Sequence, residues 1–186
     1  MTDPTCGVAH GTEAAEAATD RVLVAVFASP VAECLARYAG DLGFRTVLLE
    51  PDAGRRTAAH GSGQVVGGFA DLDGDDVLAT ADVVVTDHHR EELGPMLRDA
   101  LARPTRWVGV MGKPSIEGPH VAALAALGVP PDEVARVHRP IGLDIGSRTP
   151  AEIAISTLAG LLADRNGRSG GFTHGPARAP MTPAVR

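Results

Sequence analysis

Between residues 21 and 167, short apolar runs alternate with stretches that carry apolar side chains at helical spacing. That alternation restricts the fold more than any other feature of the chain. Residues 21–27 (RVLVAVF) are apolar almost throughout, the pattern of a strand buried on both faces. Pro30–Asp41 sets Val31, Leu35, Tyr38 and Leu42 on one helical face and is closed by Gly43. Further strands are predicted over Arg45–Leu49 and residues 64–68, 82–86 and 106–111. Helical spacing recurs over 91–103, ended by Pro104, and over 120–127, stopped by Gly128, with a short piece at 132–137. Strands separated by helices are joined by right-handed crossovers, so the chain predicts one α/β domain. Its parallel sheet has about five strands, with helices on both faces. In such sheets ligands gather at the carboxyl ends of the strands, near the reversal of strand order. The loops at Phe27–Pro30, Glu50–Asp52, Asp87–His89 and Met111–Ser115 are therefore the ones that matter.

The stretch 138–166 (HRPIGLDIGSRTPAEIAISTLAGLLADRN) is the most strongly punctuated. Gly142 and Gly146 bracket Leu143, Asp144 and Ile145, where the backbone can bend or approach another group closely. Thr149, Pro150 and Glu152 then form a capping box with proline at the first helical position. Ile153, Ala154, Leu158, Leu161 and Leu162 follow at helical spacing, and Gly167 stands where the helix should end. A tight loop carrying Asp144 and Arg148 thus feeds a helix whose N-terminus suits an anion. Two readings stay open. Asp144 and Arg148 either hold a ligand, together with Lys113, or pair with each other as a structural clasp ahead of a core helix.

The string Pro140-Ile-Gly-Leu-Asp-Ile-Gly146, followed by Thr149-Pro150-x-Glu152-Ile-Ala154, resembles the closing signature of the XdhC/CoxI family, the xanthine dehydrogenase accessory proteins. Val83-Val-Val-Thr-Asp-His88, Trp107-Val-Gly-Val-Met-Gly112 and Gly118-Pro-His-Val-Ala-Ala-Leu124 add to the likeness. The match is to that family's C-terminal Rossmann-like domain and extends over about residues 21–171. It implies an accessory protein for molybdenum hydroxylases, binding the molybdopterin (molybdenum) cofactor for sulfuration or insertion, without covalent chemistry of its own. The implied partner is a molybdenum hydroxylase client enzyme. Full-length relatives carry an additional N-terminal domain with a cysteine-bearing motif, where this chain has only about 20 residues. A separate protein supplying that domain, or a homodimer, joins the implied partners. An NAD(P)-linked oxidoreductase and a degenerate interaction module of the same fold are the alternatives.

The candidate cofactor-binding residues are Ser29, Glu50, Thr86, His88, Gly112, Lys113, Gly142, Asp144, Gly146 and Arg148, with no catalytic or metal-ligating residue among them. NAD(P) is disfavoured. A dinucleotide fingerprint puts glycines at the first strand–helix turn, where relatives carry Gly-Ala-Gly or Gly-Ala-Ser; here Phe27-Ala28-Ser29-Pro30 stands instead. A phenyl ring and a Cβ at that turn should obstruct a pyrophosphate. Glu50 holds the ribose-binding position about 20 residues on, and is equally an ordinary loop acid. Thr86 and His88 close the next strand. His88 and His89 should point to opposite sides of an extended segment, which disfavours a shared metal; Asp87 is a candidate cap for the following helix. In the third loop the family's Gly-Ser-Arg-Arg is replaced by Lys113, Pro114 and Ser115 after Gly112. Lys113 keeps charge and loses bidentate geometry. Ser115 is a candidate N-cap, and His120 reads as packing or capping.

Composition closes off other classes. A net charge of −6 argues against a general nucleic-acid binder. No apolar run approaches the ~20 residues that span a bilayer, and no secretory signal is visible, so the cytoplasm is the expected compartment. Two cysteines, Cys6 and Cys34, exclude a disulfide framework. Aromatics make up 3% of the chain, so the core must be aliphatic. Residues 1–20 are expected to be a disordered leader, 21–167 the domain and 168–186 a flexible basic tail.

Overall fold

The computed structural model describes residues 21–59, 63–72, 75–113 and 118–170. The expected leader, most of the expected tail, and Pro114 and Ser115 lie outside the described residues. Among the described residues, six strands form one parallel sheet: β1 Val22–Val26, β2 Arg45–Leu49, β3 Gln64–Val66, β4 Ala81–Val85, β5 Trp107–Val110 and β6 Val137–His138. Their spatial order is β3-β2-β1-β4-β5-β6. The α-helices among the described residues are α1 Pro30–Asp41, α2 Ala53–Ala58, α3 Asp75–Ala79, α4 Leu93–Leu101, α5 Pro119–Ala126, α6 Pro131–Val134 and α7 Pro150–Arg165. Beyond the five strands read from sequence, the segment at 132–137 divides. Its start is α6, and its end is drawn out as β6 by pairing of Val108 with Val137 and of Gly109 with His138.

All five residues of β1 and of β4 are buried, as strands covered on both faces must be. Val22, Val24, Val26, Val83, Val85, Val108 and Val110 meet Leu78, Leu97 and Leu124 from α3, α4 and α5 on one face. Leu23 and Val84 meet Leu35 and Ala39 of α1 and Ala154, Leu158 and Leu161 of α7 on the other. On that second face one acid is fully buried. Asp82, at 0% exposure, accepts hydrogen bonds from Arg106 and from Arg165 (2.7 Å). The pair of guanidiniums joins β4 to the approach to β5 and to the last turn of α7. No helix among the described residues is long and apolar enough to cross a membrane.

The helix ends follow local chemistry. Ser29 Oγ accepts the Ala32 N–H at 3.1 Å ahead of Pro30, opening α1. At α7, Thr149 Oγ1 accepts the Glu152 N–H (3.2 Å) while the Glu152 carboxylate accepts the Thr149 N–H (3.1 Å), and Gly167 follows with φ +62. Thr149→Ala should therefore lower the stability of the fold by ~1 kcal/mol. The midpoint of urea unfolding checks this, and an unmoved midpoint would mean that the cap contributes nothing.

Candidate functional site

The strand order reverses between β1 and β4, and the registers Val26↔Leu49 and Val26↔Val85 bring the carboxyl ends of β2, β1 and β4 level. Phe27, Glu50, Thr86 and Met111 continue the ladder one residue further, each donating its backbone N–H to the neighbouring strand at 2.8–3.1 Å. The candidate residues of the first two loops and of the β4 end are thus brought together at the crevice.

The β1–β2 half of this crevice is filled by the chain itself. Glu50 is 0% exposed, and both its oxygens are taken. Oε1 accepts from the Asp52 N–H (3.0 Å) and Arg90 Nη2 (2.9 Å); Oε2 accepts from the Ala28 N–H (2.8 Å) and Arg90 Nη1 (3.2 Å). Burial pushes the Glu50 carboxyl up, but the Arg90 fork and the two backbone N–H groups outweigh it and hold it below its ordinary value. Arg90 also bonds Glu92 and lies 4.6 Å from the centre of the Phe27 ring. Phe27 takes the left-handed φ of +74 that the turn demands, the position a glycine would fill. Its ring is turned into the core at 0% exposure. The obstruction expected of the phenyl group at the turn is instead supplied by Arg90 above it, and the Ala28 N–H, a natural pyrophosphate donor, is spent on Glu50. Ser29 Oγ donates to Thr86 Oγ1 (3.0 Å), which in turn lies 2.9 Å from the Phe27 carbonyl and 3.1 Å from that of Val26.

The histidine pair corrects a reading made from sequence. His88 and His89 do not diverge; their ring centroids are 4.1 Å apart. The segment is a turn, held by the Asp87 carboxylate accepting the His89 N–H at 2.9 Å, so the two-residue alternation of a strand does not apply. For the same reason Asp87 does not cap α4, which begins only at Leu93. Among the described residues, no group of three His, Cys, Asp or Glu side chains could hold a metal ion.

The closing loop packs on α7 rather than standing free. The Leu143 N–H donates to the Ser156 carbonyl (3.1 Å), Ser156 Oγ donates to the Leu143 carbonyl (2.6 Å), and a Cβ on Gly142 (φ +91) would meet Ser156 Oγ at 2.6 Å. Asp144, Gly146 and Arg148 are exposed, and among the described residues no ion pair joins Asp144 to Arg148. The anionic partner expected at the start of α7 is already present within the chain: Glu152 accepts the Arg148 N–H at 2.6 Å and the Thr149 N–H at 3.1 Å.

At the ends of β5 and β6 the structure gathers residues that sequence reading passed over. Arg139 follows β6 directly, and its guanidinium lies where a Cβ on Gly112 would meet Nη2 at 2.3 Å. A Cβ on Gly118 would meet the His120 ring at 2.3 Å and Arg139 Cδ at 3.1 Å. His120 is 7% exposed; burial, then the charge of Arg139, holds its imidazole below its ordinary value. Burial, His89 and Arg139 do the same to His88, against Asp87 and a hydrogen bond with the Met111 backbone. Both rings are thereby biased toward the neutral imidazole. Lys113 continues this loop from Gly112.

The Glu50 clasp has a pH signature. Its folded-state value is depressed, so the stability it contributes is present above the ordinary glutamate range and is lost as pH falls through the lower folded value. Glu50→Gln should lower the urea midpoint at neutral pH and make the decline of stability below about pH 5 shallower than in the wild type. Equal acid slopes for the two proteins would show that this carboxylate is not coupled to folding.

Comparison with known proteins agrees with the fold. The family model described as the XdhC Rossmann domain matches residues 23–161. The uncharacterized protein YqeB of Escherichia coli (strain K12) is 32% identical over 95 residues, covering 51% of this chain and 17% of that protein. A solved structure from Bacillus halodurans, described as a xanthine dehydrogenase, aligns with a TM-score of 0.59 at 24% identity. That alignment covers 80% of this chain and 45% of the other, and at this identity the likeness is one of fold. The chain spans less than half the length of either protein.

Proposed function

The chain belongs to the XdhC Rossmann-domain family, and from that premise we propose that it is an accessory protein for a xanthine dehydrogenase-type molybdenum hydroxylase. On this reading it binds the molybdopterin cofactor of its client in the cytoplasm, for sulfuration or insertion, and releases it. The observation that carries the reading is the asymmetry of the crevice. The half that would hold the ribose and pyrophosphate of a dinucleotide is closed by Glu50, Arg90 and the Ala28 N–H. The half at the ends of β4, β5 and β6 has no such carboxylate and gathers Lys113, Arg139, His88 and His120 around Gly112, with both imidazoles biased toward the neutral form.

That donor set fits an anionic, hydrogen-bonding ligand such as a phosphorylated pterin. When bound, the cofactor supplies the molybdenum centre and its sulfur ligands. The chain's own residues bind the anion and orient the pterin, and none of them is a nucleophile or a paired acid and base. The rival oxidoreductase reading needs Glu50 free for a ribose hydroxyl, which the four hydrogen bonds on its carboxylate oppose. A separate polypeptide carrying the domain that longer relatives contain, or a second copy of this chain, is the further partner proposed.

Two measurements test the reading. Native mass spectrometry of protein purified from a host that makes molybdenum cofactor should show a bound pterin species that is missing from protein made in a cofactor-deficient host. Identical masses from the two hosts would sink the proposal. Calorimetric titration with NAD and with NADP should give no binding, and micromolar affinity for either would restore the oxidoreductase reading.

A further inference from the structure

We infer that the outer face of α1 and α7 is an interface between two copies of this chain, packed about a two-fold axis that crosses both helices. The inference takes up the second copy named among the proposed partners and gives it a surface; it does not depend on which ligand the crevice holds.

α7 carries apolar side chains on more of its circumference than the core uses. Ala154, Leu158 and Leu161 face the sheet and are buried. One residue on, Ile155, Ala159 and Leu162 repeat the same spacing as a second stripe. Together with Tyr38, Asp41 and Leu42 of α1, that stripe lines a groove between the two helices. Ile155 is 53% exposed and Leu42 41%, and they stand on one surface rather than singly.

Charge decides what covers this face. Arg37 and Asp41 lie one helical turn apart on α1, both exposed, and neither joins an ion pair among the described residues. The Arg37 guanidinium lies 4.9 Å from the centre of the Tyr38 ring and 3.2 Å from its hydroxyl, so the cation is drawn to the rim of the groove that Asp41 lines. Opposite charges at this spacing are complementary to a second copy of themselves. A two-fold axis passing between them sets Arg37 against the partner's Asp41, and Asp41 against the partner's Arg37. The apolar stripe obeys the same operation. α1 and α7 run in the same direction: α1 leaves the carboxyl end of β1, and Arg165 in the last turn of α7 bonds Asp82 at the amino end of β4. The groove brings residues 38–42 of α1 level with residues 155–162 of α7. An axis that crosses α1 between Arg37 and Asp41 therefore crosses α7 near Ala159, where it sets Ile155 against the partner's Leu162. Ala159 at the crossing is small enough to let the two antiparallel helices approach. A foreign domain would have to match a charge pair and an apolar stripe that this chain already matches with itself.

The test is sedimentation velocity of the full chain, free of ligand, from micromolar to submillimolar concentration. The wild type should pass from monomer to dimer over that range. Ile155→Asp should raise the dissociation constant by at least about tenfold, because it puts a charge at the contact between the two α7 helices. Leu42→Arg is a second probe of the same face should Ile155→Asp fail to fold, and it should weaken the dimer likewise. Arg37→Glu and Asp41→Arg should each weaken it by about tenfold, since every pair occurs twice in a two-fold dimer and each reversal sets like charges together. The double variant Arg37→Glu with Asp41→Arg restores opposite charges across the axis and should return to within about threefold of wild type. Arg98→Glu, the same reversal on α4 at the other face of the sheet, should leave association unchanged. A wild type that stays monomeric throughout overturns the inference. So does a dimer that Ile155→Asp and Leu42→Arg leave intact, or a double charge variant no tighter than the single ones. None of these outcomes bears on the cofactor reading, which stands or falls on the pterin found by native mass spectrometry.

Discussion

A carboxylate with no exposure to water must receive its hydrogen bonds from the chain, and at Glu50 that requirement organises the ligand end of the sheet. Four donors reach it, from the loop after β1, the loop after β2 and the loop after β4. Each of those loops is shaped to deliver its donor. Phe27 accepts a left-handed backbone so that the Ala28 N–H points at Oε2, and its ring, sunk in the core, becomes the floor on which Arg90 lies. Arg56 adds a further tie through the Glu50 carbonyl at 2.9 Å. Removing either partner of such a pair leaves a buried charge uncompensated, which costs far more than the pair contributes net. The clasp therefore fixes geometry more than it adds stability. At the amino end of the same sheet, Asp82 with Arg106 and Arg165 performs the matching task, tying α7 to β4. Between these two pinned ends the aliphatic core supplies the driving force.

What could be read from sequence was what is local. Thr149-Pro150-Ala151-Glu152 contains the donor, the acceptor and the spacing of a helix cap, and α7 begins where those residues say. The buried strands announced themselves because covering both faces leaves no polar alternation. β6 carried no such signal. Two residues have no periodicity, and Val137–His138 is a strand only because β5 lies beside it. Glu50 shows the same limit within the site. Its spacing from the first loop was visible, but the residue that decides its role, Arg90, lies 40 positions away and arrives through the β1–β4 pairing. Arg139 and His120 went unread as site residues because their meeting over Gly112 and Gly118 depends on how β5 and β6 align. His88 and His89 were misjudged for a different reason: strand geometry was applied three and four residues past Val85, where the strand ends.

The crevice that results is lopsided, and the lopsidedness has a chemical consequence. A doubly wound sheet presents helix N-termini at its ligand end, and each is a place where an anion can be bound. Here the start of α1 is capped by Ser29, and the start of α7 holds the chain's own Glu152 carboxylate. The ribose acid has been matched by a guanidinium from the neighbouring loop. At the start of α5 no side chain caps the helix, and the buried Nδ1 of His120 beside it has no hydrogen-bond partner among the described residues. A fold suited to nucleotides has thus spent the β1–β2 half of its binding chemistry on itself. A ligand that fits what is left must carry negative charge and hydrogen-bonding edges, and it must do without a ribose contact to Glu50. On the proposed reading that ligand is a phosphorylated heterocycle held for delivery, in place of a redox nucleotide held for hydride transfer. A carrier also gains from this division, because the rigid clasp keeps the strand ends in place whether or not the other half is filled. On the proposed carrier reading, binding and release would leave that platform unchanged.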